Sequence, residues 1–158
     1  MKTFLVLIAS LVAQPAAAHP GVPHSAAAEN ESAGVIAVLA AYKSAIERLD
    51  AAGTEQLFTT DSAIFESGGV EGAYANYLAH HLGPELKEFK TFAFSNYQIS
   101  VRFEGPLALA TESYTYRIET KAGVVAERVG VATSVLKRIG GQWKIVSLHT
   151  SSRRPAVH

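Results

Sequence analysis

Apolar residues recur at helical spacing early in the chain, following Ser32, which can cap a helix. They follow one another at steps of three and four residues and so form one stripe. The stripe consists of Val35, Leu39, Tyr42, Ile46 and Leu49. Gly53 is a typical helix stop, and Thr54 can cap a second, short helix over EQLFTT. The pattern predicts a helical hairpin at the start of the domain.

The apolar spacing then changes to that of strands, with one helix between them. SAIFES predicts a short strand, and EGAYANYLAHHLG predicts a third helix that ends at Gly83–Pro84. Four long stretches separated by glycine turns follow, at 90–104, 107–120, 124–139 and 142–153. Strands of this length must twist and coil. We therefore predict a single α+β domain in which a cone-shaped, curved antiparallel sheet wraps around about three N-terminal helices and leaves a pocket.

The first residues have the pattern of a secretory signal peptide. Lys2 precedes the apolar run FLVLIASLVA, and Ala16 and Ala18 satisfy the A-x-A cleavage rule. The apolar run has about ten residues, fewer than the roughly 20 that span a bilayer. We expect cleavage after Ala18, a secreted or periplasmic location and no membrane insertion after cleavage. The expected division is a signal peptide (1–18), a flexible leader (19–32), the folded domain (33–154) and a tail (155–158).

Composition and charge exclude several kinds of chemistry. The chain has no cysteine, which excludes disulfides, thiol catalysis and thiolate–metal sites. Its 14 basic and 14 acidic residues balance, and no basic stripe typical of nucleic-acid binding is visible. We predict neither a nucleic-acid partner nor a cofactor.

Three segments carry a resemblance to a known family: RLDAAGTEQLF, DSAIFESGGVEG and GGQWKIVSLHTSS. The chain resembles the SnoaL-like branch of the nuclear-transport-factor-like, ketosteroid-isomerase-type superfamily over roughly residues 33–154. The resemblance implies the cone fold and a homodimer formed through the outer face of the sheet. It implies no single activity, because the superfamily contains isomerases, cyclases, dehydratases and non-catalytic modules. The Asp base and Tyr/Asp oxyanion hole of the isomerase members have no residue-by-residue match here.

Candidate site residues on the third predicted helix are Tyr77, His80 and His81. Tyr77 and His81 lie on one face because they are four residues apart, whereas His80 is rotated by about 100° from His81. Either at least one of the histidines lines the pocket, or both only stabilise the C-terminal end of the helix, where a positive side chain interacts favourably with the helix dipole. His149, on the last strand, shares a period-two face with Trp143 and Ile145 and either lines the pocket or is a structural histidine.

Further candidates lie on the other predicted strands. Glu66 precedes a glycine turn, where it could orient a histidine or act as a base, or be an exposed edge charge. Tyr114 and Tyr116 offer aromatic walls with hydroxyl groups, which suit a small ligand or a dimer interface. Arg128 could bind an anionic ligand or pair with Glu112 across the strands.

No specific metal site is predicted, since neither His-x₃-His nor His-Glu-x-x-His spacing occurs. The alternative is that a metal site exists. Its candidate ligands are then His81, His149 and Glu66, whose imidazole and carboxylate groups suit zinc, copper or iron.

Three functional hypotheses follow. The first is an exported domain that binds a small, largely apolar molecule in the cone cavity. The second is an isomerase-, cyclase- or hydrolase-type enzyme with His81 or His149 as general acid–base and Glu66 orienting it. The third is a dimeric interaction module without catalysis. Convergence of Glu66, His81 and His149 in one cavity would favour the enzyme, and an aromatic cavity would favour binding.

Overall fold

In the computed structural model, which describes residues 26–156, a long helix packs on a six-stranded sheet. The predicted signal peptide, residues 19–25 and residues 157–158 lie outside the described residues. The elements in chain order are α1 (Ala26–Glu47), a 3₁₀ turn (Thr54–Leu57), β1 (Phe58–Glu66), β2 (Gly69–Gly72), α2 (Tyr74–Tyr77), a π-helical turn (Leu78–Leu82), α3 (Gly83–Glu88), β3 (Phe89–Glu104), β4 (Leu107–Thr120), β5 (Val125–Ile139) and β6 (Gln142–Arg153). Within residues 26–156, no helix is both long and apolar enough to cross a membrane.

The sheet confirms the predicted α+β cone fold, with one correction. Its order is β2-β1-β6-β5-β4-β3, and β3 to β6 form the predicted antiparallel meander. β1, however, pairs with β6 in parallel, so the sheet is mixed rather than purely antiparallel. Most of the domain separates these two strands along the chain and supplies the long crossover that parallel pairing requires. Register shifts interrupt the regular pairing of β3 and β6, and such bulges bend a strand locally.

Helix α1 begins at Ala26 rather than after Ser32, so residues 26–32 of the predicted leader are helical. The run AAAENES is rich in alanine, which has a high helix propensity, and the negative charge of Glu29 in the first turn interacts favourably with the helix dipole. The added turns are also held to the sheet. Glu31 accepts hydrogen bonds from Arg138 Nη1 at 2.5 Å and from Trp143 Nε1 at 3.0 Å.

The predicted apolar stripe of α1 faces the core, which lies between the helices and the concave face of the sheet. Val35 and Leu39 are fully buried, and the other stripe residues pack against the same cluster. The sheet contributes Ile64, Leu136 and Ile145 to this core. Burial of the stripe is the main reason that α1 is fixed on the sheet.

The third predicted helix does not end at Gly83–Pro84, and this prediction was wrong. The Gly83 N–H donates to the Leu78 carbonyl in a π-type bond, and helix α3 continues to Glu88. The extra residue of the π turn brings the Leu78 carbonyl so close that a Cβ on Gly83 would lie 2.5 Å from its oxygen. Pro84 is tolerated because it stands in the first turn of α3, where its missing N–H costs little. The continuous segment places Tyr77, His81 and Glu85 along one end of the sheet.

Candidate functional site

A cavity of about 130 Å³ lies between α1, the α2–α3 segment and the concave face of the sheet. Aromatic rings form a large part of its wall, and they are those of Tyr42, Tyr77, Phe89, Phe92, Phe94, Tyr97, Tyr114 and Tyr116. An apolar cavity of about 150 Å³ is known to admit benzene. The cavity is therefore of the size of a single-ring molecule.

Strands β3 and β4 supply most of this aromatic wall. A register shift in β3 between Ser95 and Gln98, where Asn96 has a φ of 51°, turns Phe94 and Tyr97 towards the same side. Tyr97 stacks on Tyr114 with ring centroids 6.0 Å apart. Phe92 and Tyr116 stack in the same way at 5.2 Å. These cross-strand stacks hold the rings in place before any ligand binds.

A tyrosine–carboxylate pair forms one polar group of the wall. The Tyr97 hydroxyl donates a short hydrogen bond to Glu112 Oε2. Burial raises the pKa of Glu112, and the bond from Tyr97 opposes part of this shift. Burial, and after it the bond and charge of Glu112, also raise the pKa of Tyr97, so the proton stays on the phenol. The cavity thus contains a buried carboxylate whose partner is neutral.

A second tyrosine–carboxylate pair lies where β1 meets α2. The Tyr77 hydroxyl donates to Glu66 Oε2 at 2.5 Å, and both residues line the cavity. Burial, with the nearby Tyr42 and Glu66, raises the pKa of Tyr77, which therefore remains a hydrogen-bond donor. Glu66 is the last residue of β1, so the strand aims its carboxylate at the helix.

His81 lies behind this second pair and is not among the cavity-lining residues. Its Nδ1 is 3.1 Å from Glu71 Oε2, and its Nε2 is 3.4 Å from Glu85 Oε1 and 3.9 Å from Glu66 Oε2. Burial lowers the pKa of His81, but the bond to Glu71 and the charges of Glu85 and Glu66 outweigh it, and the pKa is raised. The surrounding carboxylates thus favour the protonated form of His81. His80 is exposed and does not line the cavity.

His149 was predicted to line the pocket, and the structure places it on the opposite side of the sheet. It is exposed, and its ring lies 6.2 Å from that of Phe65. β6 contains one extra residue at this point. Val135 and Leu136 are adjacent in β5, but their partners in β6, Ser147 and Ile145, are two residues apart. This bulge reverses the alternation, so Leu148 rather than His149 faces the cavity.

Arg128 also lies outside the cavity lining, contrary to its prediction as a pocket residue. Its Nη1 donates to the carbonyl of Glu127. The predicted pair with Glu112 is not formed, because the strand register places Arg128 opposite Tyr116 and Glu112 opposite Ala132. Of the predicted pocket residues, Tyr77, Tyr114 and Tyr116 line the cavity, as does the candidate catalytic residue Glu66.

The candidate metal ligands are not brought together. Glu66 and His81 approach each other, but the sheet separates both from His149. Within the described part of the chain, no group of three histidine, cysteine, aspartate or glutamate side chains is arranged to hold a metal ion.

Several cavity residues were not predicted as site residues. Glu112 shares the period-two face of Tyr114 and Tyr116, and that alternation was a usable signal. Tyr97 could not be assigned, because the shift in β3 changes which residues face the cavity. Glu85 lies beyond the expected end of the third helix.

The family model of the SnoaL-like domain matches residues 35–155, which is most of the chain. The chain belongs to the SnoaL-like family. This assignment confirms the resemblance found in the sequence. No curated protein matches this SnoaL-like chain.

Solved structures share the fold at low sequence identity. An NTF2-like superfamily protein from Salmonella enterica is 18% identical, with a TM-score of 0.71 over 82% of this chain and 94% of that one. A putative dehydratase of the NTF2-like family from Streptomyces avermitilis is 19% identical, with a TM-score of 0.69 over 82% and 99%. A ketosteroid isomerase-like protein from Erwinia carotovora is 21% identical, with a TM-score of 0.67 over 79% and 98%. At these identities the likeness concerns the fold and not the activity of the SnoaL-like chain.

Proposed function

We propose that this SnoaL-like domain binds a small, largely apolar molecule of single-ring size in the cavity. The observation that supports the proposal is the aromatic wall of the cavity, interrupted by the pairs Tyr77–Glu66 and Tyr97–Glu112. Apolar rings supply the contact area, and a few polar groups fix orientation, as in ligand sites generally.

Binding is better supported than catalysis by a histidine general acid–base. Such a mechanism requires an imidazole within reach of a molecule in the cavity. His149 lies on the other side of the sheet, and His81 lies behind Glu66 rather than in the wall. Among the catalytic candidates, Glu66 alone reaches the cavity.

The binding proposal is tested by filling the cavity. Ala132 lines the cavity from β5, so Ala132→Leu places additional carbon atoms inside it. We expect benzyl alcohol to bind the unmodified protein in isothermal titration calorimetry, and the variant to bind at least about tenfold more weakly, which corresponds to about 1.4 kcal/mol. The matched control is Ala93→Leu, the same change at an exposed position of β3. Equal binding by a folded Ala132→Leu variant and the unmodified protein would contradict the proposal.

We further propose that the protein is exported, because its first residues have the pattern of a signal peptide.

We also propose that the protein forms a homodimer through the outer face of the sheet. That face, opposite the cavity, exposes 51% of Val131 and 36% of Phe65. Pairing would cover these apolar side chains. We expect a dimer in sedimentation velocity and a monomer for Val131→Lys, because a lysine there would have to be desolvated in the interface. A monomeric unmodified protein would contradict the dimer.

A further inference from the structure

The cavity has a positive charge at one end only. Of the described residues that line it, Lys43 alone is a lysine or arginine. Its Nζ lies 5.2 Å from the ring centroid of Phe94 and 5.3 Å from that of Tyr97, which is cation–π geometry. The same Nζ is 2.7 Å from Glu47 Oε2, so this cation is already paired. The end near β3 therefore contains a cation with both aromatic and carboxylate partners.

The end of the cavity beside Tyr77 contains carboxylates without a lysine or arginine. Glu66 and Glu85 line the cavity there, and Glu71 lies just behind them. The positive group in reach is His81, which contacts all three carboxylates from outside the wall. Even when His81 is charged, three carboxylates face one imidazolium, and this end keeps a net negative charge.

The two cavity carboxylates at this end also have unused capacity to accept hydrogen bonds. Glu66 Oε2 accepts from Tyr77, and its Oε1 accepts none from the described residues. Burial raises the pKa of Glu85; His81 opposes this shift, and the charge on Glu66 adds to it. A positive ligand group would give Glu66 Oε1 a donor and would add positive charge beside both carboxylates, in place of the water that reaches the exposed side chain of Glu85.

We propose that the cavity selects an organic cation: a small amine whose ammonium lies between Glu66 and Glu85 and whose single ring lies against the aromatic wall. This inference rests on the proposed binding function and names its ligand class. The rings of Tyr42, Tyr77 and Phe89 also line the cavity, and the face of an aromatic ring attracts a cation. An anionic group placed between Glu66 and Glu85 would be repelled by both carboxylates, and a neutral group there would gain no charge-assisted hydrogen bond.

The proposal is tested with three ligands of matched size and different charge. Benzylamine, benzyl alcohol and benzoate are titrated into the purified protein at neutral pH. We expect benzylamine to bind about tenfold more tightly than benzyl alcohol, the factor expected from one charge-assisted hydrogen bond, and benzoate to bind least. In Glu66→Gln the preference for benzylamine should fall severalfold, because the carboxylate of Glu85 is then the one that remains beside the ammonium.

Glu104→Gln is the control variant. It removes the same charge from the protein at the exposed far end of β3, away from the cavity-lining residues, so the preference should be unchanged. Equal affinity for benzylamine and benzyl alcohol would overturn the cation inference and leave the binding proposal intact. If Glu66→Gln preferred benzylamine over benzyl alcohol by the same factor as the unmodified protein, the assigned position of the ammonium would be overturned. Binding of neither ligand would overturn both proposals.

Discussion

Replacing Tyr74 with alanine is expected to destabilise the domain by about 3–5 kcal/mol, the range for removing a large buried side chain. Tyr74 is 2% exposed, and its ring stacks on Phe58 with centroids 3.7 Å apart. Its hydroxyl lies 2.7 Å from Thr54 Oγ1. Because the Thr54 hydroxyl donates to the carbonyl of Ala51, the tyrosine must be the donor in this bond. Burial raises the pKa of Tyr74 to about 12, so this donor keeps its proton at neutral pH.

The effect should extend to the cavity, because Tyr74 is the first residue of α2 and fixes the segment that carries Tyr77. The measurement is urea unfolding followed by far-UV circular dichroism. Tyr74→Phe is the matched control, since it keeps the ring and removes one hydrogen bond, and it should cost about 1 kcal/mol. If the phenylalanine variant were as unstable as the alanine variant, ring packing would not be the dominant contribution.

The sequence predicts the fold well where local periodicity survives in the structure. The stripe that includes Val35 and Leu39 faces the core, and β4 pairs with β5 without a register shift. Tyr114 and Tyr116 could therefore be assigned to one face together. Nothing in local periodicity reports which distant strands pair, so the parallel contact of β1 with β6 was not predicted.

Two of the errors in the site have the same physical cause, which is an extra residue in a regular element. The additional residue in β6 moves His149 to the outer face, and the π turn carries the helix past Gly83–Pro84. Both features alter which side chains share a face, and neither leaves a pattern that period-two or period-3.6 analysis detects. Glu85 was missed for this reason, since it lies beyond the π turn.

Gly130→Ala is expected to destabilise the domain by about 1–3 kcal/mol, the usual cost of overpacking, and to displace an aromatic side chain of the cavity. Gly130 lies directly opposite Tyr114 in the β4–β5 register. A Cβ at this position would lie 2.2 Å from Cε2 of Tyr114 and 2.9 Å from its Cδ2, so the ring must move. Phe94, 5.0 Å away, and the stacked Tyr97 restrict that movement.

The free-energy effects of Gly130→Ala and Tyr114→Ala should be non-additive, and a double-mutant cycle measures this. In a Tyr114→Ala background the ring is absent, so Gly130→Ala should cost little beyond its effect on backbone freedom. The coupling between the two sites should lie in the range of about 0.5–3 kcal/mol found for residues in contact. Chemical unfolding of the four proteins gives this coupling, and benzyl alcohol titration shows how the displaced ring changes the cavity. Additive free energies would mean that Gly130 is required for some reason other than the close approach of Tyr114.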